Sequence, residues 1–550
     1  MSEDVAVLAE DYWQHHLRTH PTEGHLVGLY DRAVEFERAD RASEDEDLAA
    51  LRTFARRAEA LDPADLDAQE RVTREVLRTD ATHRADVLEH RLLELGADPV
   101  FGPQVDLPLV VGMLALPDAD VAEALVEKLR GAGRHYRELA QRQREGVASG
   151  RPSAAFAVAD TVAQLDGLLA TPLAEDPLLA TAEPPEGLDV EAWRERLREV
   201  LSSDVRPGME VYRDVLREEV GPHARADERC GLGWLPDGAA AYDATLRQFT
   251  TTDRSAQEIH DLGREQVALL AEEYRALGPE VVGTDDLARI FEAMRSDPAL
   301  HFERGEQLVE ASEVALQRAW EAMPDWFGRM PQARCGIQAS LTGAMAFYFP
   351  PASDGSRGGT FFFNVSDPTA WGTFELESTA FHEGIPGHHL QLAVASELTD
   401  VPEFRKHLHN SAYAEGWGLY TERLADEMGL YSAPVDRMGM YAADSLRACR
   451  LVVDTGLHAL GWSREQAVQY MVENSPLAEG VVRPEVDRYV VSPGQACSYM
   501  VGRLEIQRMR AEAEDRQGGR FDVKAFHDAV LDSGSLPLGV LDEVVRARLG

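Results

Sequence analysis

The stretch FHEGIPGHHLQ, residues 381–391, constrains the fold of this chain more than any other. His382 and Glu383 stand together as in the zinc-binding H-E-x-x-H helix, in which the second histidine follows on the same face of the helix. Pro386 occupies the place of that second histidine. The stretch is therefore either a histidine-rich loop or a metal site whose helix is interrupted.

A break in the helix would allow a metal site here. On a straight helix His388 lies about 120° from the face of His382, and His389 returns to that face about 10 Å further along the axis. Pro386 removes a backbone donor and Gly387 tolerates unusual dihedral angles, so we expect a bulge or kink between the histidines. The sequence thus predicts that the helix breaks and that one of the later histidines joins His382 as a ligand.

A third metal ligand should come from a separate helix, and Glu415 is the best candidate. The segment HNSAYAEGWGLYTERLADEMG has helical character, and small residues around Glu415 would allow close packing. Glu422 lies on the same face and is expected to support a ligand from outside the metal shell. The alternative interpretation of Glu415 is a surface carboxylate on an amphipathic helix.

Several runs of the sequence resemble a known family. They are HEGIPGHHLQ, AEGWGLYTE, RLVVDTGLHALGW and RYVVSPGQACSYMVGRLEI, with DGSRGGTFFFN and LGWLPDGAAAYDATLRQFTTT upstream. Together they are similar to the bacterial family catalogued as domain of unknown function 885, which is grouped with zincin metallopeptidases of the glutamate-ligand type. The resemblance covers essentially the whole chain. It implies a large, mainly α, zincin-like fold with a small β-sheet beside the active-site helix and two lobes around a cleft.

The resemblance also implies which histidine is the second ligand. In the similar oligopeptidase and thermostable-carboxypeptidase families a glycine often precedes that ligand, and the dipeptidyl-peptidase III family carries an inserted residue in the same turn. Matching this glycine-histidine pair to Gly387-His388 implies that His382, His388 and Glu415 bind the metal. His389 would then contact the substrate or support one of the metal ligands. Zinc is the expected ion, although the same donors also accept Mn²⁺, Co²⁺ or Fe²⁺.

The expected chemistry is hydrolysis by a metal-activated water with Glu383 as general base. The developing oxyanion needs a further donor, and the candidates are Tyr489, Tyr499 and His458. Each of these is alternatively a packing residue of a helical core. Arg450 is a further polar side chain that could face the substrate.

The aromatic run TFFFNV differs from its helical surroundings, because glycines precede it and an Asp-Pro turn follows it. This composition predicts a β-strand. A peptide substrate could add to its edge, with Asn364 near the peptide backbone and Arg357 near a terminal carboxylate. The alternative is a structural hairpin that covers the site.

Apolar residues have helical spacing over most of the chain from Glu3 to Glu219, and the pattern changes in a glycine-rich turn at residues 222–240. We therefore expect an N-terminal helical lobe over residues 1–230. A catalytic, zincin-like lobe should follow over residues 231–550, interlocked with the first as one structural unit.

The charge of the chain excludes some classes of partner. Its 96 acidic residues outnumber 55 basic ones and give a formal net charge of -41, which repels nucleic acids and anionic membranes. The N-terminus lacks the basic and apolar regions of a secretory signal, and no window reaches the roughly 18 apolar residues of a spanning helix. We expect a soluble, cytoplasmic protein.

The leading functional hypothesis is a metal-dependent hydrolase of amide or peptide bonds in short peptides or peptide-like small molecules. A metal-dependent enzyme acting on a non-peptide specialised metabolite is the first alternative. A non-catalytic binding protein on a zincin scaffold is the second. The sequence leaves open the scissile bond, the preference for terminal or internal bonds, and the oligomeric state.

Overall fold

The computed structural model describes residues 3–341, 345–351 and 358–550. Within these ranges the chain is mainly helical and contains a small three-stranded sheet. The mainly α class predicted from the sequence is therefore confirmed. Arg357, a predicted substrate contact, lies outside the described residues.

The helices follow one another along the chain with short connections in most places. They are α1 (Glu3–Thr19), α2 (Pro21–Leu26), α3 (Arg41–Glu59), α4 (Ala68–Glu89), α5 (Pro103–Met113), α6 (Ala119–Ala148), α7 (Ala155–Ala170), α8 (Val190–Val200), α9 (Arg206–Asp214), α10 (Gly238–Thr250), α11 (Ala256–Val281), α12 (Leu287–Ser296), α13 (Gly305–Ala322), α14 (Glu375–Glu383), α15 (His388–Ser396), α16 (Glu403–His407), α17 (Ser411–Glu427), α18 (Pro434–His458), α19 (Arg464–Asn474), α20 (Glu479–Val491), α21 (Ser498–Gln517), α22 (Val523–Leu531) and α23 (Leu538–Leu549). None of the described helices is both long and apolar enough to cross a membrane. The cytoplasmic location stays a prediction.

Local sequence signals set the ends of several helices. Ser255 caps α11, because its side chain accepts a hydrogen bond from the Glu258 amide while the Glu258 side chain accepts one from the Ser255 amide. The Asp118 carboxylate caps α6 in the same way, by accepting from the Val121 amide. Satisfying these amides fixes where each helix begins.

The chain divides into two compact units. One comprises Met1–Ala6, Leu61–Asp80 and Tyr242–Gly550, and the other comprises Val7–Ala60 and Ala81–Ala241. The short segment Leu61–Asp80 thus belongs to the same unit as the C-terminal half of the chain. All described candidate site residues lie in that first unit.

Close helix packing in the first unit positions the site. Helix α17 packs against α14 and α21, and α18 packs against α11 and α14. Gly416 on α17 and Gly502 on α21 face each other so closely that a Cβ on Gly502 would lie 1.9 Å from the carbonyl oxygen of Ala412. These glycines therefore let the backbones of α17 and α21 approach, which brings the Glu415 segment into the core.

The sheet consists of β1 (Gly336–Ser340), β2 (Ala346–Phe349) and β3 (Thr360–Asn364) in the order β1-β3-β2. Strand β1 pairs parallel to β3, whereas β2 pairs antiparallel to it. The strand predicted at TFFFNV is confirmed as β3. However, the predicted addition of a peptide to its edge is wrong, because β3 is the central strand and both of its edges are already paired.

Candidate metal centre

The helix of the histidine motif is interrupted where the sequence predicts. Helix α14 ends at Glu383, and α15 begins at His388. Between them the Ile385–Pro386 peptide bond is cis. The backbone of Gly387 packs directly against that of His382. A Cβ at residue 387 would lie only 1.9 Å from the carbonyl oxygen of His382, so only glycine fits there. The predicted break is confirmed.

Three side chains converge across this break. The Nε2 atoms of His382 and His388 lie 3.5 Å and 3.4 Å from Oε2 of Glu415. One ligand atom from each of the three residues lies within 4.8 Å of the other two. Ligands bound about 2.0–2.2 Å from one tetrahedral ion stand about 3.3–3.6 Å apart. The two measured separations match the edges of such a tetrahedron, so these residues fit a metal ion as donors.

Helix α17 supports His382 as well as supplying Glu415. Oε1 of the buried Glu422 lies 2.8 Å from Nδ1 of His382. This contact fixes the ring and leaves Nε2 facing Glu415. Gly418 lies between these two glutamates, and a Cβ there would stand 2.7 Å from the His382 ring. The absence of a side chain at Gly418 therefore makes room for the imidazole.

The carboxylates around His382 stabilise a positive charge on its imidazole ring. Burial lowers the pKa of His382, but the Glu415 and Glu422 carboxylates outweigh this effect and raise the pKa to about 9. Burial raises the pKa of Glu415, yet the two imidazoles hold it well below its ordinary range. Glu415 is therefore ionised, and either a proton or a metal cation can balance its charge.

We expect the affinity for Zn²⁺ to rise with pH. Coordination requires a neutral imidazole, so binding must release the His382 proton at any pH below about 9. The association constant should increase about tenfold per pH unit from pH 7 and level off above about pH 9. Calorimetry in two buffers of different ionisation enthalpy should find about one proton released per ion at pH 7.5. An affinity independent of pH, with no proton release, would contradict this expectation.

Glu383 and Tyr499 are the two predicted catalytic residues whose polar groups have no hydrogen-bond partner in the described part of the chain. Glu383 is half-buried next to His382, and its carboxylate forms no hydrogen bond or ion pair with the part of the chain that the structure describes. Burial raises the pKa of Tyr499, and the negative charge of Glu415 raises it further. The Tyr499 hydroxyl has no hydrogen-bond partner among the described residues, so it can donate to a ligand.

The ring of His389 is hydrogen-bonded within the protein through both of its nitrogens. It is fully buried, its Nε2 donates to the Ala333 carbonyl oxygen at 2.9 Å, and its Nδ1 therefore accepts from the Tyr348 hydroxyl at 2.9 Å. These bonds tie α15 to β2 and to the segment before β1. The predicted substrate contact at His389 is wrong, because both ring nitrogens are already engaged by the protein.

Tyr489 and His458 are engaged elsewhere in the core. The Tyr489 hydroxyl donates to Oε2 of Glu485 at 2.6 Å and accepts from Nε of Arg450 at 3.0 Å. Nε2 of His458 donates to the Tyr489 carbonyl oxygen at 3.0 Å, and its ring stacks on Tyr242. Both side chains are fully buried. The catalytic roles predicted for them are therefore corrected to packing and hydrogen bonding within the helical core.

Asn364 does not sit at an open strand edge. It ends the central strand β3, and its side-chain oxygen accepts a hydrogen bond from the Ser366 amide at 2.9 Å. This local bond closes the turn after the strand. The substrate contact predicted at Asn364 depended on a free edge of β3, and it is corrected for that reason.

Some residues near the centre were not predicted from the sequence. Burial raises the pKa of the Cys335 thiol to about 12, and the charge of Glu383 contributes to this rise. Arg447 lies one helical turn before Arg450 on α18 and also faces the Tyr499 ring. The three-residue spacing of the two arginines in the sequence indicates that both side chains lie on the same face of α18. Nothing in the sequence around Cys335 indicates its position.

Comparison with known proteins identifies the family. The family described as "Bacterial protein of unknown function (DUF885)" matches residues 21–545. The chain belongs to the DUF885 family. The resemblance inferred from the motifs is thus confirmed for DUF885, and the relation to zincin metallopeptidases stays a prediction. No curated protein matches the chain.

Two solved structures share the fold of this DUF885 member. A candidate lipoprotein from Colwellia psychrerythraea has a TM-score of 0.91 and 23% sequence identity, with 99% of this chain and 98% of that chain covered. A candidate lipoprotein of unknown function from Shewanella oneidensis has a TM-score of 0.74 and 18% identity, with 98% and 99% covered. At these identities the similarity concerns the fold alone.

Proposed function

We propose that this DUF885 protein is a metal-dependent hydrolase that cleaves amide or peptide bonds of short peptides or peptide-like small molecules. The observation that supports this most directly is the convergence of His382, His388 and Glu415 beside Glu383, which has no partner among the residues that the structure describes. Catalytic zinc sites use three protein ligands and keep a further position for water or substrate. A glutamate next to a ligand histidine is the usual base in such sites.

His382, His388 and Glu415 would hold the ion. Zinc suits two imidazoles and a carboxylate, and Mn²⁺, Co²⁺ or Fe²⁺ accept the same donors. A bound ion would supply Lewis-acid polarisation of the scissile carbonyl and a lowered pKa of water. The placement of the ligands on an H-E helix and on a second helix also supports the proposal that the fold is zincin-like.

Each neighbouring side chain then has a definite task. Glu383 accepts a proton from the attacking water and delivers it to the leaving nitrogen. The water oxygen bonds to the carbonyl carbon, the C–N bond breaks, and the products are a carboxylate and an amine. Tyr499 donates a hydrogen bond to the developing oxyanion, while Glu422 keeps the His382 ring oriented through its 2.8 Å contact.

Removal of the metal tests this proposal. Purified protein should contain about one transition-metal ion per chain and should hydrolyse members of a dipeptide and tripeptide library. Treatment with 1,10-phenanthroline should abolish hydrolysis, because the ligands alone cannot polarise the carbonyl, and Zn²⁺ should restore it. Mass spectrometry measures both the metal content and the depletion of the library.

Two other results of the same experiment would contradict the proposal. Protein with well under one metal ion per chain, and none taken up on dialysis against Zn²⁺, would indicate a non-catalytic binding protein. Metal-replete protein that leaves every peptide intact would instead favour the alternative of a non-peptide metabolite as the substrate.

A further inference from the structure

Arg450 on α18 carries a donor that the protein leaves unused. Its side chain is only 5% exposed. Nε donates to the Tyr489 hydroxyl at 3.0 Å, and Nη2 donates to Oε2 of Glu485 at 2.8 Å. Nη1 is buried and has no acceptor among the described residues. An unpaired buried donor on a charged group costs free energy, which an anionic ligand would recover.

The position of this guanidinium connects it to the metal centre through Tyr499. The Cζ atom of Arg450 lies 4.5 Å from the centre of the Tyr499 ring. Tyr499 follows Ser498, whose Oγ lies 2.8 Å from Oγ of Ser411 on α17, one helical turn before Glu415. The Tyr499 ring therefore neighbours the Arg450 guanidinium on one element and the helix that carries Glu415 on another.

Arg447 adds a second positive charge at this place. Its Cζ atom lies 5.7 Å from the centre of the Tyr499 ring. Its Nη1 donates to the Ala443 carbonyl oxygen at 3.3 Å, whereas its buried Nε has no acceptor in the described part of the chain. Among the described residues Arg447 forms no ion pair. Two arginines one turn apart on α18 thus each carry a donor with no acceptor among the described residues, and both guanidinium groups lie against the same ring.

Nearby carboxylates do not balance these charges. Glu485 is shared, since it pairs with Arg450 at 2.8 Å and with Arg488 at 3.1 Å. Glu375 lies within reach of the Arg447 charge, so the three arginines Arg447, Arg450 and Arg488 share the two carboxylates Glu375 and Glu485. An excess of positive charge is notable in a chain with a net charge of -41. The surplus favours an anion as the missing partner.

We propose that Arg450 and Arg447 bind a carboxylate of the substrate, so that the enzyme acts on short peptides in which a carboxylate lies close to the cleaved bond. This inference rests on the proposed hydrolase function. Guanidinium groups bind carboxylates through charge-assisted hydrogen bonds, which are about twice as strong as neutral ones. A C-terminal carboxylate and an aspartate or glutamate side chain offer the same chemistry.

Three tripeptide libraries distinguish these sources. The first has free C-terminal carboxylates and no acidic residues, the second contains the same sequences as C-terminal amides, and the third contains amides with aspartate or glutamate. The zinc-loaded protein should consume the first or the third library with a kcat/KM at least about tenfold above that of the second. Equal rates for all three would overturn the carboxylate site and leave the hydrolase function intact.

Two variants test the arginines themselves. Arg450→Lys keeps the charge but loses the planar fork, and Arg447→Gln removes the neighbouring charge. Each should raise KM for the preferred library and so reduce its advantage in kcat/KM over the amide library by at least about tenfold. Arg405→Lys is the matched control, because Arg405 is buried and its Nη atoms already donate to Thr73 and Ser533. A preference that survives in both test variants would overturn the proposal.

A binding measurement separates the failure of this inference from the failure of hydrolysis. If no library is cleaved, the proposed function fails, and ligand binding still tests the arginines. The free-acid or acidic-amide library should then raise Tm of the wild-type protein more than the neutral amides do, and Arg450→Lys should remove the difference. Equal Tm shifts for all three libraries would overturn the carboxylate site as well.

Discussion

Replacement of Glu383 by glutamine should lower kcat for peptide hydrolysis by about 10²–10⁴-fold while the metal stays bound. Glutamine has nearly the shape of glutamate, but its amide cannot accept a proton from water. Glu383 is not one of the three converging ligands, so the substitution removes proton transfer and no metal donor. Steady-state kinetics on the best tripeptide, together with metal analysis of the same sample, measure the effect.

Glu377→Gln is the matched control for this experiment. Glu377 lies earlier on α14, where its carboxylate accepts hydrogen bonds from Arg318 and Ser432. A glutamine there keeps an acceptor, so kcat should stay within about twofold. Loss of the metal in Glu383→Gln would show that Glu383 is a ligand. Full activity with the metal bound would show that another group is the base, and either result contradicts the assignment.

The features of the centre that depend on local chemistry could be predicted from the sequence. Pro386 has no backbone N–H to donate, and Gly387 has no Cβ to clash with a nearby carbonyl oxygen. The interruption between α14 and α15 therefore follows from the residue types alone. The small residues around Glu415 predict close packing of its helix, and they do allow α17 to pack closely on α21. Both predictions used properties that a residue keeps whatever it packs against.

The features that depend on tertiary packing could not be predicted. Tyr489 and His458 have the right chemistry for an oxyanion donor, but the rotation of α20 and α18 directs them to Glu485 and to a backbone carbonyl. The aromatic strand was recognisable, whereas its central place was not, because its parallel partner GIQAS is mostly exposed and lacks an apolar alternation. Facing directions and strand order therefore required the structure.

Helix α17 shows how one segment combines several functions. Glu415, Gly418 and Glu422 are three and four residues apart, so they lie on one face of the helix. That face supplies a candidate ligand, space for the His382 ring and a carboxylate for its Nδ1. The sequence indicated the two glutamates. The need for glycine between them becomes clear only when His382 is placed opposite.

His388→Ala should lower the affinity for Zn²⁺ by more than about 100-fold, which exceeds the 10–100-fold cost of losing a partner outside the metal shell. The reason is that Nε2 of His388 lies 3.4 Å from Oε2 of Glu415 and is one of only three converging donors in the described chain. Hydrolysis should fall with the metal. Competition with a chelating dye measures the affinity, and it should be measured at one fixed pH because proton release affects binding.

His389→Ala is the matched control, since it removes the same side chain from the next position of α15. It should retain the metal and instead lower Tm, because the fully buried imidazole and its hydrogen bonds with Tyr348 and Ala333 are lost at a cost of about 1–3 kcal/mol. The opposite pattern, with zinc lost in His389→Ala and kept in His388→Ala, would contradict the ligand assignment. It would mean that the break between α14 and α15 brings the other imidazole to the ion, and that the contacts of His389 with the sheet give way when metal binds.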